Sequence, residues 1–330
     1  MTYKSYPFAC ASLKVKETKL LTKEKLMRIA ETNSADEAYK ALADTGYGLG
    51  ETSSNFEALI RKELRDAYEY TAKIAPDEKA FSLYLLKTDY HNLKILLKLL
   101  LKKEPLSSKA LRQNGTIPTE ILKTAITGKK YNSLPVEMKE ALLLLDRQFS
   151  VKEDVSLIGL YLDAAYATQL LRIVKDVKED FIKEYITAYI DFTNVLSYIR
   201  LRILNSGKDM LFKVLIKGGK IGEKMFLDLF NTDWDSVAGY LARQGYEKPL
   251  KTAFEEFKKS GSLYAFEKAR DDYLLNIIKE HKNDVFSIAP SISYILAKER
   301  EADNIRIIMT AKLNGKDKSF VFDRIKEMYS

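Results

Sequence analysis

The chain is poor in the residues that catalysis, metal binding and covalent cross-linking require. Its 330 residues include one cysteine, Cys10, and two histidines, His91 and His281. A single cysteine excludes an internal disulfide and suits a reducing compartment. These three residues are too few for a His/Cys zinc or iron site. We therefore expect no metal site, no cofactor and no catalytic residues.

Turn-forming residues and long apolar runs are also scarce. The chain has only 7 prolines and 14 glycines, which disfavours a turn-rich β protein. Alanine, leucine, lysine and glutamate dominate instead, and these residues favour helix. The most apolar stretch, residues 93–101, is interrupted by Lys94 and Lys98 and is far shorter than the roughly 18 residues of a membrane span. The composition predicts an all-α protein without a membrane span.

One short motif occurs three times: an acid, two variable residues, an asparagine and then an aliphatic residue. The copies are Asp89 and Asn92, Asp191 and Asn194, and Glu301 and Asn304. The asparagines are 102 and 110 residues apart, and apolar residues follow each at helical spacing. This period predicts three similar helical units, residues 1–105, 106–214 and 215–330.

Each unit opens with a similar loop and helix start. The openings begin at Leu21, Ile117 and Ile221. Thr22 and Thr119 are predicted N-caps, because a hydroxyl at this position accepts from a backbone N–H of the first turn.

A helix that ends in Gly-Tyr follows the opening in the first and third units. Gly46 lies 25 residues after Leu21, and Gly245 lies 24 residues after Ile221, with Ser34 and Asp233 as predicted caps. In the middle unit only 11 residues separate the opening from the corresponding glycine, Gly128. The middle unit is therefore abbreviated.

Glycines also follow the motif helices and join the units. Gly207 and Gly315 are predicted to stop the second and third motif helices. Residues 217–224 superficially resemble a phosphate-binding loop, but they lack its spacing and do not follow a strand. We interpret them as a flexible joint.

The repeated motif has three interpretations. Positions i and i+3 share a helix face, so each acid and asparagine can form one polar patch. The first interpretation is internal: the asparagine satisfies a neighbouring helix end, and the acid pairs with a cation. In the second, the six residues Asp89, Asn92, Asp191, Asn194, Glu301 and Asn304 lie near a central axis and bind a partner. In the third, they are surface residues without a role. His91 is a variable helix position, because the other copies have Thr193 and Asp303 there.

The net charge of +8 allows binding to nucleic acid, an acidic partner or a membrane surface. The lysines are scattered along the chain, whereas a nucleic-acid footprint is normally clustered. Two alternatives stay open: a helical scaffold that binds RNA or anionic lipid, and an uncatalogued enzyme, which the missing phosphate loop disfavours.

Taken in order, these landmarks resemble the C subunit of the bacterial and archaeal V-type (A-type) rotary ATPases, which is related to the d subunit of the eukaryotic vacuolar ATPase. The resemblance is carried by residues 6–21, 38–48 and 89–97 and by Asn194 and Asn304. It spans almost the whole length of the chain.

The resemblance implies a funnel-like, all-α body of three helical domains about a pseudo-threefold axis. It implies a non-catalytic rotor component, a socket that links the central shaft (the D and F subunits) to the membrane rotor ring. Such a socket transmits torque for proton or sodium transport. It would be peripheral, on the cytoplasmic face of the cell membrane, touching the membrane only through the complex and binding no nucleic acid.

Overall fold

The computed structural model describes residues 4–50, 55–107, 110–177, 179–322 and 324–328. Within these ranges the chain is helical and contains no strand, which confirms the predicted all-α class. The α-helices are α1 Tyr6–Glu17, α2 Lys23–Glu31, α3 Ala35–Asp44, α4 Phe56–Ile74, α5 Glu78–Leu101, α6 Thr119–Gly128, α7 Val136–Phe149, α8 Ser156–Val174, α9 Asp180–Ile203, α10 Lys208–Val214, α11 Glu223–Asp228, α12 Trp234–Ala242, α13 Glu247–Ser260, α14 Tyr264–His281, α15 Ala289–Leu313 and α16 Lys318–Phe322. A short 3-10 helix, η1, spans Tyr131–Ser133.

The helices group into two compact units. The first comprises residues 1–81 together with 278–330, and the second comprises residues 82–277. The first unit therefore combines α1 to α4 with α15 and α16. The three-unit boundaries inferred from the sequence stay a prediction.

In the first compact unit, α15 is the central helix. It packs against α1, α2, α3, α4 and α16. Its apolar residues Ile305 and Ile308 join Leu26 and Leu42 in one buried core. Because neighbours surround α15, it is buried on several faces and lacks the single apolar stripe of a surface helix.

In the second compact unit, α9 is flanked by α8 and α10. An aromatic cluster extends from α9 towards the third repeat: the ring of Tyr198 lies 5.8 Å from Phe226 and 6.5 Å from Trp234. The ring of Phe254 lies 4.8 Å from Phe266. Tilted and edge-on ring pairs of this kind stabilise beyond their buried area.

One helix of the described part, α8, is long and apolar enough to cross a membrane by length and composition. By this criterion α8 is a stronger candidate for a membrane span than residues 93–101, which the sequence indicated as the most apolar stretch. In the structure 61% of its apolar window is buried, mainly against α7 and α9. A buried core helix passes the same test, so α8 is weak evidence for a membrane span.

The repeat openings share one burial pattern. The buried residues follow the spacing i, i+3, i+4 in each repeat: Leu26, Ile29 and Ala30; Leu122, Ala125 and Ile126; Phe226, Leu229 and Phe230. Thr22 caps α2 by accepting from the N–H of Lys25, as predicted. The prediction for Thr119 is wrong, because Thr119 is the first helical residue of α6 and Pro118 precedes it as the N-cap. Proline has no N–H to lose and its φ suits a helix entrance.

The three long motif helices end alike. A residue in the left-handed conformation lies 11 positions after each motif asparagine: Lys103, Asn205 and Gly315, with φ of 55°, 49° and 62°. The following N–H bonds back to a carbonyl of the last turn in each case. Gly207 is therefore not the stop of the second helix. It is the N-cap of α10, and Asn205, whose short polar side chain tolerates left-handed backbone, ends α9.

The Gly-Tyr helices are α3 and α12. Ser34 and Asp233 cap them by accepting from the N–H groups of Glu37 and Ser236, which confirms both caps. The Glu37 carboxylate accepts from the N–H of Asn33, one residue earlier than in a standard capping box. In the middle repeat η1 stands where α3 or α12 would be, among residues 110–135, all of which are described.

Candidate functional site: three buried clamps

The six motif residues lie on the long helices α5, α9 and α15, and all are at most 1% exposed. Each acid and asparagine hold the backbone of a neighbouring segment. We call these arrangements clamp 1 (Asp89 and Asn92), clamp 2 (Asp191 and Asn194) and clamp 3 (Glu301 and Asn304).

Each clamp asparagine forms a pair of hydrogen bonds with the backbone of one residue. Asn194 donates from Nδ2 to the carbonyl of Ile216 at 2.8 Å and accepts the N–H of Ile216 at 2.9 Å. Asn92 makes the same pair with Arg112 at 2.7 and 2.8 Å. Asn304 makes it with Lys326 at 3.1 and 2.8 Å. A side-chain amide supplies one donor and one acceptor in this geometry, which explains the residue type.

The aspartates of clamps 1 and 2 bind the opening of the next repeat. Asp89 accepts the N–H groups of Thr116 and Ile117 at 3.1 and 3.0 Å. Asp191 accepts those of Lys220 and Ile221 at 2.8 and 2.9 Å. Each carboxylate also accepts a hydroxyl, from Thr116 at 2.5 Å in clamp 1 and from Tyr246 at 2.6 Å in clamp 2. The N–H groups before a helix start are thus satisfied by a fixed anion.

A glycine makes the close approach of each aspartate possible. A Cβ on Gly115 would lie 2.2 Å from Oδ1 of Asp89, and one on Gly219 would lie 2.0 Å from Oδ1 of Asp191. No side chain fits at these distances. Residues 217–224, which superficially resemble a phosphate loop, use two backbone N–H groups to bind the carboxylate of Asp191. Lys220 and Ile221 are held in place rather than forming the freely flexible joint we expected.

Clamp 3 uses a longer acid and a cation. Glu301 accepts the N–H of Leu21, which is the opening of the first repeat. Its second oxygen accepts from Nζ of Lys298 at 2.9 Å, and Lys298 also donates to Glu63 at 2.7 Å. Clamp 3 therefore holds two distant parts of the chain on α15, Leu21 through the acid and Lys326 through the asparagine.

Burial shifts the ionisation of the clamps. It raises the pKa of the carboxyl groups of Asp89, Asp191 and Glu301 above their ordinary values, although the hydrogen bonds they accept act in the opposite direction. Burial acts to lower the pKa of Lys298, but Glu301 and Glu63 outweigh it, so that pKa is raised. Removing charges from water is the dominant effect for the acids.

The sequence pattern found the six side chains but did not reveal what they hold. The structure adds Gly115, Gly219, Tyr246 and Lys298. A signal existed: each glycine stands two residues before a repeat opening, whereas the first repeat has Lys19 there. His91 takes part in no clamp; its Nε2 lies 3.0 Å from the carbonyl oxygen of Ala110. In the described part of the chain, no three His, Cys, Asp or Glu residues converge as metal ligands would.

Comparison with known proteins identifies the class. Residues 9–322 match the ATP synthase (C/AC39) subunit family. The C subunit of the V-type sodium ATPase of Enterococcus hirae is 23% identical, over 95% of this chain and 96% of its own length. The C subunit of the A-type ATP synthase of Methanocaldococcus jannaschii is 28% identical, over 94% of this chain and 83% of its own. The C subunit of the A-type ATP synthase of Desulfurococcus sp. (strain SY) is 27% identical, over 99% of this chain and 91% of its own length.

The chain therefore belongs to the ATP synthase (C/AC39) subunit family. This confirms the resemblance to the C subunit drawn from the motifs. Membership makes the chain an accessory component of a rotary ATPase and not the catalytic one.

Proposed function

We propose that this chain is the rotor socket of a V-type or A-type ATPase. It receives the central shaft, made of the D and F subunits, and seats it on the membrane rotor ring. Torque passes through it during proton or sodium transport. Its three repeats lie about a pseudo-threefold axis on the cytoplasmic face of the cell membrane.

The observation that carries this proposal is the family match over residues 9–322 together with the clamps. A part that transmits torque must be stiff, and packed helical interiors have low compressibility. Each clamp fixes the backbone of a neighbouring segment to a long helix through hydrogen bonds of side chains that are almost fully buried. Such bonds are strong, and breaking one leaves a buried group unpaired.

That the six clamp residues take part in binding a partner remains a prediction. Their side chains are buried, so they would act on a partner through the backbone they position at Arg112, Ile216 and Lys326. The double variant Asp191→Asn with Glu301→Gln tests this. We expect about tenfold weaker shaft binding with unchanged helicity by circular dichroism. Unchanged shaft binding would refute the assignment of these residues to partner binding, but it would not affect the assignment to the family.

The socket role has a direct test in the assembled complex. With the chain present, an affinity tag on the ring should co-purify the D and F subunits in detergent. In a strain that lacks the chain, the same tag should yield the ring without them. A ring that keeps its shaft in the absence of this chain would contradict the proposal.

A further inference from the structure

The middle repeat has an open groove beside η1, the short element that follows α6 in the chain as α3 follows α2 and α12 follows α11. The groove lies between α6, η1 and α7 and has a volume of about 760 Å³. Ile121 of α6 and Leu143 of α7 line it, and these two side chains are 41% and 40% exposed. Its size falls within the usual range of binding pockets.

The sister repeats indicate what shape fits this place. In the third repeat α12 packs on α13, with Trp234 against the rings of Phe254 and Phe257 at 6.4 and 5.4 Å. In the first repeat α3 packs on α2 and buries Ala38 and Leu42, four residues apart. Both are amphipathic helices of about ten residues. The middle repeat has only the three-residue η1 at this point.

The exposed side of α7 is also more apolar than that of its counterpart α13. α7 buries Met138, Ala141, Leu142 and Leu145, and α13 buries Leu250, Ala253, Phe254 and Phe257 with the same spacing. In this register Leu143 and Leu144 correspond to Glu255 and Glu256, which are exposed acids. Leu143 and Leu144 are 40% and 42% exposed. Leu143, which lines the groove, thus presents an exposed apolar side chain where α13 has an exposed acid.

The charges at the rim are positive. Three lysines line the groove, Lys129, Lys130 and Lys139, against one acid, Glu120. Glu120 is paired with Lys123 at 2.7 Å and Lys129 with Asp146 at 3.0 Å. Lys139 donates to the neutral amide of Asn132 at 2.7 Å. Lys130 and Lys139 thus keep uncompensated positive charge, which complements an acidic segment.

We infer that this groove binds a short, acidic amphipathic helix supplied by another protein of the complex, which takes the place that α3 and α12 hold in the other repeats. Aliphatic residues at i and i+4 of that helix pack on Ile121 and Leu143, and its acids face Lys130 and Lys139. The surface is separate from the clamps and does not depend on the socket role.

Site-specific cross-linking in the intact membrane complex tests the inference. The photoreactive residue p-benzoyl-L-phenylalanine is placed at Leu143, with the matched position Glu255 on α13 as control, and cross-linked peptides are identified by mass spectrometry. The expected product joins position 143 to an acidic helical segment of a different protein, with little product from position 255. A product with a second copy of this chain, with lipid alone, or no excess over position 255 would overturn the inference.

Variants of the groove lysines and of its apolar lining test which side chains bind the helix. Lys130→Glu with Lys139→Glu should lower the cross-link yield about tenfold, because like charges then oppose the acids. The matched control is Lys251→Glu, the counterpart of Lys139 on α13, which should leave the yield unchanged. Ile121→Glu, which places a charge in the apolar lining opposite the probe, should also lower the yield. Equal yields in all variants would overturn the assignment even where the complex assembles normally.

Discussion

Clamps 2 and 3 solve one structural problem with different chemistry. In clamp 2 the short acid Asp191 reaches two backbone N–H groups because Gly219 leaves room for it. In clamp 3 the longer Glu301 reaches one N–H, and the place of the glycine is taken by Lys19. The N–H of Leu20, which has the position of Lys220, bonds instead to the carbonyl of Glu17 at 3.0 Å.

The third donor differs as well. Clamp 2 uses the hydroxyl of Tyr246, which is neutral, whereas clamp 3 uses Lys298, which is charged. Tyr47 has the sequence position of Tyr246 in its own repeat, yet its buried hydroxyl has no hydrogen-bond partner. The asparagine contact is thus the same in all three clamps. Clamp 3 differs from clamps 1 and 2 in its acid and in lacking the glycine, whereas the third donor is different in every clamp.

The largest effect is expected from removing the cation of clamp 3. Lys298→Met leaves Glu301 and Glu63 without their shared lysine in a buried site. Breaking a buried ion pair on one side costs about 3–5 kcal/mol. Urea unfolding of the purified chain measures the loss. The control is Lys217→Met, an exposed side chain near clamp 2 that should change stability by about 0.5 kcal/mol or less.

Next in size is the loss of an asparagine. Asn194→Ala leaves both backbone groups of the buried Ile216 unpaired, and we expect about 2–4 kcal/mol of destabilisation. Asn304→Ala should cost less, about 1–2 kcal/mol, because the half-buried Lys326 can bond to water instead. Thermal unfolding of the two variants side by side measures the difference. Equal losses of stability in the two variants would show that water does not replace the hydrogen bonds of Asn304 to Lys326.

The glycine of clamp 2 should not tolerate a side chain. Gly219→Ala places a Cβ 2.0 Å from Oδ1 of Asp191, which three hydrogen bonds hold in position. Overpacking of this kind costs about 1–3 kcal/mol. At the matched position, Lys19→Ala should be nearly neutral because Lys19 is exposed. A Gly219→Ala protein as stable as the wild type would mean that Asp191 can move away freely.

Removing the hydroxyl of Tyr246 and removing that of Tyr47 should have different effects on the free energy of unfolding. Tyr246→Phe removes a hydrogen bond to a buried carboxylate and should cost about 1.5–3 kcal/mol. Tyr47→Phe removes a buried hydroxyl that has no partner, so stability should stay the same or rise slightly. Urea denaturation of both proteins compares them. A clear loss for Tyr47→Phe would indicate a partner for that hydroxyl.

The smallest effect is a pH dependence in clamp 2. Because burial raises the pKa of Asp191, its contribution to stability is complete below its ordinary pKa of 3.8 and is lost as pH rises through the raised value. Asp191→Asn cannot ionise. The stability difference between wild type and this variant should therefore narrow as the pH rises from 3.8 through the raised pKa of Asp191. A stability difference that widens with rising pH would mean that the pKa of Asp191 is lowered rather than raised on folding.

Local patterns were sufficient for the helices and for the motif. The apolar spacing after Asn92, Asn194 and Asn304 predicted long helices, and these are α5, α9 and α15. The caps Thr22, Ser34 and Asp233 were also correct, because a cap bonds to N–H groups two or three residues away. Such short-range contacts are determined by neighbouring residues alone.

Two local predictions failed because competing residues share the same role. Pro118 displaced Thr119 as a cap, and Asn205 ended α9 before Gly207 could. In each case a residue one or two positions earlier in the chain took the role. Sequence patterns rank such neighbours poorly, since the free-energy differences between them are small.

By itself, the sequence determined the all-α class, the threefold recurrence of an acid and an asparagine, and the abbreviated middle repeat, because these follow from periodicity and spacing. Only the tertiary structure decided what the recurrent residues hold. Asp191 meets Lys220 and Ile221, and Glu301 meets Leu21 across 280 residues of chain. Contacts at that separation depend on how helices pack, and burial then makes every unpaired N–H too costly to leave without a partner.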